Sequence, residues 1–369
     1  MQRSRYNAGF FRFYPLQILG IDWVPVMKRL YLYEELSAMN LDNGNALAPL
    51  LDEGLSILKA LIIDFTKLNL FELFVFASQH VGESLIAEKI INLSQWIVPE
   101  SSNPFLNIVN SNDVVLVMAP ECDGILASRI KQLQETGAEN LGCSVEAITL
   151  AGDKYQTYLF FKERDIPTPS TMLLEDFLKV PQFGFPLVLK PRDGAGSADT
   201  FLISTMGCLR NKASNIIKLN QWIVQELKQG LAASYCFFLH KGQFTPMVSS
   251  FQNMSCIDNQ FVYQGGALPL PIEFEHRALI LAQKALRDFV GLNGWVGVDL
   301  ILGADTNGLE DFVLEINPRL TTSYLGVRNY LEINPASLWV ANDLLLSQPA
   351  GKGNNVVYGK NGVIKIKRG

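Results

Sequence analysis

Apolar and polar positions along the chain fall into two rhythms. Up to about residue 150, short apolar runs alternate with stretches of helical spacing. Residues 30–34 alternate enough for a first strand, and residues 54–68 carry Leu55, Leu58, Ile62 and Phe65 along one helical stripe. Residues 70–77 read as a second strand, 83–92 as a helix, and 113–119 as a buried parallel strand ended by Pro120. A loop rich in Asn and Gly, residues 37–49, joins the first strand to the first long helix. Strands alternating with helices predict a small doubly wound α/β unit.

The second rhythm follows helices over 126–136 and 154–164, the latter closed by Pro167 and Pro169. From residue 186 strands come in tandem, at 187–190, 200–204, 222–227, 235–240 and 244–253, which predicts an antiparallel sheet with helices on one face. Residues 263–271, with Gly265, Gly266 and two prolines, read as a loop, and 274–290 as a long helix. Two strands follow, at 295–302 and from Phe312, then a helix over 335–346 and a terminal hairpin of 356–358 and 363–366. The division this predicts is an extension over 1–27, an α/β domain over 28–150, an α+β domain over 151–348 and a tail hairpin over 349–369. Within 151–348, a small lobe covers about 186–228 and a large lobe 229–348.

Composition narrows the partners. With 369 residues, 48% hydrophobic and 18% charged, the chain can bury more than one core. A net charge of -5 argues against a nucleic-acid surface, which carries a basic excess. Cys122, Cys143, Cys208, Cys236 and Cys256 form no metal-like spacing, and reduced, mostly buried thiols point to the cytoplasm. His80, His240 and His276 form no zinc motif. No apolar run is long enough to span a membrane. The first 26 residues, with Arg3, Arg5 and Arg12 but no h-region, fit an undocked extension or an upstream start better than a targeting segment.

The candidate chemistry lies at strand ends. Asp299 sits in one apolar strand and Glu315 in the next, with Asn317 on the same face as Glu315 by the period of two. Such hard oxygen donors suit Mg2+, which takes one or two carboxylates and completes its shell with water and phosphate. Lys190 ends an apolar strand beside Asp193-Gly194-Ala195-Gly196-Ser197, where glycines free backbone N–H groups for an anion. The same composition also makes an ordinary hairpin loop, and no Walker A pattern occurs. Gln225, Glu226 and Leu227 end a strand whose edge can meet an adenine, or can simply face solvent.

Taken in order, Lys154, Lys190 with its glycine loop, Gln225-Glu226-Leu227, Asp299 and Glu315-Ile316-Asn317-Pro318-Arg319 resemble the ATP-grasp superfamily of carboxylate–amine ligases, over roughly 30–346. The resemblance implies an N-terminal α/β subdomain followed by two α+β lobes that clamp ATP. It implies that Lys154 and Lys190 contact phosphates, that 193–197 close over them, and that Gln225, Glu226 and Leu227 line the adenine pocket. Asp299, Glu315 and Asn317 would hold Mg2+, with Mn2+ as a substitute, while Arg319 and Lys190 would clamp the reacting phosphoryl group. Ala119-Pro120-Glu121, Asp153-Lys154 and Asn317-Pro318-Arg319-Leu320-Thr321-Thr322-Ser323-Tyr324 are similar to the branch that includes the tyramine–glutamate ligases of methanofuran biosynthesis and the ligase of pyrrolysine biosynthesis. Two departures stand out: the leader before Met27, and Ala232-Ala233-Ser234 where relatives carry a ribose-binding acid, leaving Ser234 as donor.

The resemblance implies activation of a carboxylate such as glutamate as an acyl phosphate, then attack by a small amine, in cofactor biosynthesis. Competing readings are another carboxylate, as in cofactor-tail glutamylation or D-alanine ligation, and a non-catalytic nucleotide-binding module, which the intact metal ligands disfavour. Thr321, Thr322, Ser323, Tyr324 and Arg328 are candidates for the acceptor pocket, or packing for the following helix. Arg319 reads as a phosphate contact or as an ion pair with Glu315. Homodimers are common among such ligases, and the resemblance extends that expectation here.

Overall fold

The computed structural model of the protein describes residues 27–39, 50–194, 196–341 and 348–368. The expected N-terminal extension and most of the loop after the first strand lie outside them, as does Ala195. Five parallel strands build the first sheet: β1 (Lys28–Glu34), β2 (Phe71–Phe76), β3 (Trp96–Ile97), β4 (Val114–Met118) and β5 (Glu139–Asn140), in the order β3-β2-β1-β4-β5. The order reverses between β1 and β4, so a crevice opens beyond the carboxyl ends of these strands. Short helix α1 (Glu35–Ala38) follows β1, and α2 (Leu51–Leu68), α3 (Gln79–Ala87), α4 (Ile125–Gln134) and α5 (Val145–Gly152) complete the unit. In α2, Asp52 and Glu53 occupy the first turn and Lys67 the last, which complements the helix dipole, and Asn69 ends it in the left-handed region.

The second sheet is antiparallel. Its small lobe pairs β6 (Thr171–Leu173), β7 (Leu187–Pro191), β8 (Phe201–Ile203) and β9 (Trp222–Glu226), backed by α7 (Leu174–Lys179) and α8 (Met206–Ala213). Its large lobe runs through β10 (Leu231–His240), β11 (Gln243–Ile257), β12 (Gln260–Leu268), β13 (Gly294–Leu302) and β14 (Phe312–Asn317), with α9 (Ile272–Leu286) packed on it. The lobes meet at one registered pair, Gln260 with Phe201. The small lobe keeps its own core around Leu174, Phe177, Leu189 and Val224. The two larger cores each mix side chains of the first sheet with those of the large lobe, for example Val117 with Val298 and Phe65 with Trp339. One body therefore carries a separately packed lobe, with α6 (Lys154–Glu163) leading into it.

Several elements differ from the sequence pattern. Residues 263–271, read as a loop, are strand β12 up to Leu268. Gly265 and Gly266 lie where β15 (Asn354–Gly359) pairs closely beside them: a Cβ at Gly265 would lie 2.1 Å from the Tyr358 carbonyl oxygen, and one at Gly266 2.4 Å from the Phe251 carbonyl oxygen and 2.5 Å from the Tyr358 hydroxyl. The glycines mark close approach, not a turn. Paired with β16 (Ile364–Arg368), β15 extends the large sheet. The helix expected over 83–92 runs from Gln79 to Ala87, and Lys89 at φ 59° turns the chain away. The helix expected over 335–346 is a 3-10 turn, Pro335–Trp339, started by the Asn334 side chain; residues 342–347 lie outside the described set. Helix α10 (Ser323–Tyr330) begins inside the stretch read as an acceptor pocket. All five cysteines are free, but only Cys143 and Cys236 are buried, Cys208 and Cys256 being exposed. Among the described residues no helix is long and apolar enough to cross a membrane.

Candidate active site

A cleft of about 470 Å³ lies between the two lobes. Its floor is β13 and β14, where Asp299 stands directly opposite Glu315 and Gly297 opposite Asn317. Strict alternation would turn Val313 to the same side as Glu315. A bulge between these strands breaks the register, so that Leu314 joins Glu315 in the cleft wall while Val313 is buried in the core.

Two carboxylates facing each other across a ladder repel. Burial, and then the Glu315 carboxylate, push Asp299 up to about 7, against hydrogen bonds that include Asn317 Nδ2 at 3.2 Å and Gln252 Nε2 at 3.0 Å. Burial works the same way on Glu315, but Lys154 and Lys190 outweigh it and hold that carboxylate below its ordinary range. Lys154 Nζ lies 3.3 Å from Glu315 Oε2 and also donates to the Gly194 carbonyl. Lys190, 7% exposed, is lowered to about 8 by burial, with Lys154 adding to the effect and Glu315 opposing it. A cleft that buries two acids and two lysines together, with protonation shifted by burial and by one another, is suited to charged partners.

The small lobe is tied to this floor through α6. Asp153 caps the helix, accepting from Tyr155 and Gln156, and its carboxylate also takes both Arg192 Nε at 2.7 Å and Nη2 at 2.6 Å. Lys154 N donates to the Arg192 carbonyl. One dipeptide thus fixes the start of the helix, the base of the glycine loop and a lysine in the cleft.

The cleft brings together Lys154, Lys190, Gly194, Gly196, Ser197, Gln225, Glu226, Leu227, Ser234, Asp299, Glu315, Asn317 and Arg319. Asp193 is not in its wall: its carboxylate turns to the first sheet's side and accepts from Asp123 N at 3.1 Å, which removes a negative charge from the loop's inner face. The Gln225 amide is committed to Thr171 Oγ1 at 2.9 Å, and Glu226 pairs with Lys228 at 2.7 Å. Arg319 borders the cleft, yet its ionic partner is Glu121 at 2.9 Å rather than Glu315. Thr321, Thr322 and Ser323 line the cleft, whereas Tyr324 and Arg328 do not. Both hold Asp64 on α2, with Arg328 Nε at 2.7 Å, Nη2 at 2.6 Å and the Tyr324 hydroxyl at 2.9 Å. Arg328 is a clamp between α10 and α2, not a free cation.

The sequence reading did not single out Glu53, Lys228, Gln252, Tyr263 and Tyr358, and it named Glu121 only within the Ala119-Pro120-Glu121 motif, without its role as the partner of Arg319. Among the described residues no group of three or more His, Cys, Asp or Glu could hold a metal by itself. Two carboxylates and an amide oxygen instead fit a hard cation that takes its other ligands from water and phosphate.

A family profile for the ATP-grasp domain matches residues 151–323, and one for the pre-ATP-grasp domain matches 93–148, together more than half of the chain. The chain belongs to the ATP-grasp superfamily. In sequence it is similar to the tyramine–L-glutamate ligases of Methanocaldococcus fervens and Methanocaldococcus jannaschii, 30% identical over 234 and 231 residues and 62% of this chain. The matches span 66% and 63% of those relatives' own lengths. In fold it is similar to an ATP-grasp superfamily protein from Archaeoglobus fulgidus, with TM-score 0.66, 22% identity and coverage of 89% and 92%. It is also similar to the biotin carboxylase domain of a Hydrogenobacter thermophilus 2-oxoglutarate carboxylase solved with MgADP, with TM-score 0.68, 13% identity and coverage of 90% and 74%.

Proposed function

We propose that the protein is an ATP-dependent carboxylate–amine ligase, with ATP held between the lobes and the acyl transfer carried out at the Asp299–Glu315 end of the cleft. The observation that carries this reading is the cross-strand pair Asp299 and Glu315 facing Lys154 and Lys190 across one cavity. Carboxylates placed directly opposite each other destabilise a sheet unless a cation joins them. Buried lysines beside them are suited to phosphate oxygens.

Asp299, Glu315 and Asn317 would hold Mg2+, which when bound offsets charge on phosphate oxygens. Lys190 and Lys154 would orient the β- and γ-phosphates, and Gly194, Gly196 and Ser197 would cover them and exclude water. Glu226 and Leu227 would border the base, with the Gln225 side chain bracing the strand through Thr171. Ser234 would meet the ribose.

The reaction follows from the chemistry of carboxylates. A substrate carboxylate oxygen forms a bond to the γ-phosphorus as the bond to ADP breaks, giving an acyl phosphate. The amine, after losing one proton to solvent, forms the C–N bond; the C–O bond to phosphate breaks, and the second proton leaves with inorganic phosphate. No side-chain nucleophile is required, and none is assigned. Arg319, held by Glu121, would steady the phosphoryl group as it transfers.

The finer reading, glutamate as carboxylate and tyramine as amine, is supported by the two ligase relatives. It is tested by ADP release with glutamate and tyramine, and by mass spectrometry of a product lighter than their sum by one water. Release of ADP with a different carboxylate or amine from a pooled panel would keep the ligase and change the substrates. Nucleotide binding without ADP release from any pool would overturn it.

A further inference from the structure

We infer that Glu53 is the residue that receives the ammonium group of the acceptor amine, an inference that rests on the ligase reading above. Glu53 lies in the first turn of α2 and is the residue through which the first-sheet domain reaches the wall of the main cleft, among the described residues. It also walls a second, smaller cavity of about 50 Å³, shared with Glu34, Gly196 and Arg319, at the carboxyl ends of β1 and β4. That is where the strand order of the parallel sheet reverses, the place where open α/β sheets bind ligands.

Its charge is the anomaly. Other carboxylates shielded in this domain are matched: Glu35 by Arg129 at 2.7 Å, Asp113 by Arg29 at 2.9 Å and Asp64 by Arg328 at 2.6 Å. Glu34 accepts the Leu36 and Ser37 N–H groups. Glu53 forms no ion pair among the described residues, and its hydrogen-bond donor is the Thr322 hydroxyl, itself 3% exposed. Arg319, which shares both cavities, lies in the field of Glu53 but forms its ion pair with Glu121, so Glu53 has no direct ion-pair partner among the described residues until a cation enters the cleft.

The surroundings suit an organic cation. Tyr263 and Tyr358 line the same cleft, and tyrosine faces attract ammonium and stack on rings. The Tyr263 phenol is raised well above its ordinary range by burial, then by Tyr358 and Glu53, which places it in the field of that carboxylate. The hairpin that supplies Tyr358 rests on α2: a Cβ at Gly362 would lie 2.6 Å from Ser56 Oγ, one turn after Glu53. Glu53 and Tyr358 fall outside residues 151–323, whereas Tyr263 falls inside them, so three separate segments meet in this wall.

Hydroxylamine separates this role from the others, because it is a neutral nucleophile that captures acyl phosphates without an ammonium. With glutamate and MgATP, wild type is expected to form both the hydroxamate and the tyramine amide. In Glu53→Gln, which keeps an acceptor for Thr322, the tyramine-to-hydroxylamine ratio of kcat/KM is expected to fall at least tenfold, through the KM for tyramine. Glu53→Asp is expected to recover part of the ratio. Equal losses in both reactions, or an unchanged ratio, would overturn the assignment. Absence of hydroxamate in wild type would count against the ligase reading instead. Calorimetric titration of tyramine into wild type and Glu53→Gln loaded with a non-hydrolysable ATP analogue and Mg2+ then decides Glu53 alone: weaker binding in the variant supports it, and equal binding or none in either overturns it.

Discussion

Replacing Arg328 by Met tests whether this arginine is a clamp or a substrate contact. Its side chain is 18% exposed and that of Asp64 6%, and the two share a bidentate contact to which Tyr324 adds a third donor. Removing the cation leaves Asp64 buried with a single phenol, and breaking such a pair from one side costs about 3–5 kcal/mol. Against a total stability on the order of 5–15 kcal/mol, that is about a fifth or more of the margin. Urea unfolding should show a loss on this scale. The double variant Asp64→Asn/Arg328→Met should recover part of it, because no unpaired charge remains. In the temperature range where Arg328→Met is folded, kcat/KM should stay within about threefold, since Arg328 does not border the cleft. Unchanged stability with a raised KM for the carboxylate substrate would refute the reasoning and return Arg328 to the substrate.

Other outcomes follow from the cleft and the tail. Asp299→Ala or Glu315→Ala should lower amine-dependent ADP release at least about 100-fold, about 3 kcal/mol of barrier, with an unchanged circular dichroism spectrum; full activity in Glu315→Ala would remove it from the metal site. Lys190 in the free protein is lowered to about 8, and phosphate binding favours its charged form. Apparent ATP affinity should therefore be flat below pH 8 and fall about tenfold per pH unit above it, until the pKa of the bound state is reached, a slope that Lys190→Met should abolish in calorimetric titrations. Gly265→Ala puts a Cβ against the Tyr358 carbonyl at a φ of 123°, and should release the β15–β16 hairpin to limited proteolysis. An intact hairpin in that variant would show that the close approach is not needed.

What the sequence by itself determined was local: which residues form strands, which face carries the acids, and in which order the charged motifs come. Asp299, Glu315 and Asn317 could be placed on strands because side-chain direction follows a period of two, and Asp153-Lys154 could be placed at a helix start because a cap needs only its neighbours. Even there the period failed at Leu314, where a bulge answers to the partner strand rather than to the local pattern. Gly265 and Gly266 carried a true signal that local reasoning assigned to a turn, since a glycine that ends a strand and one that admits another backbone look the same in one dimension. Only the tertiary structure decided who meets whom. Arg328 finds Asp64 across 264 residues, Thr322 finds Glu53 across 269, and Tyr358 enters the cleft from the tail. Periodicity reports the face a side chain occupies; its partner depends on how separate elements pack, and in this protein that packing determines which charges are left to face the cleft.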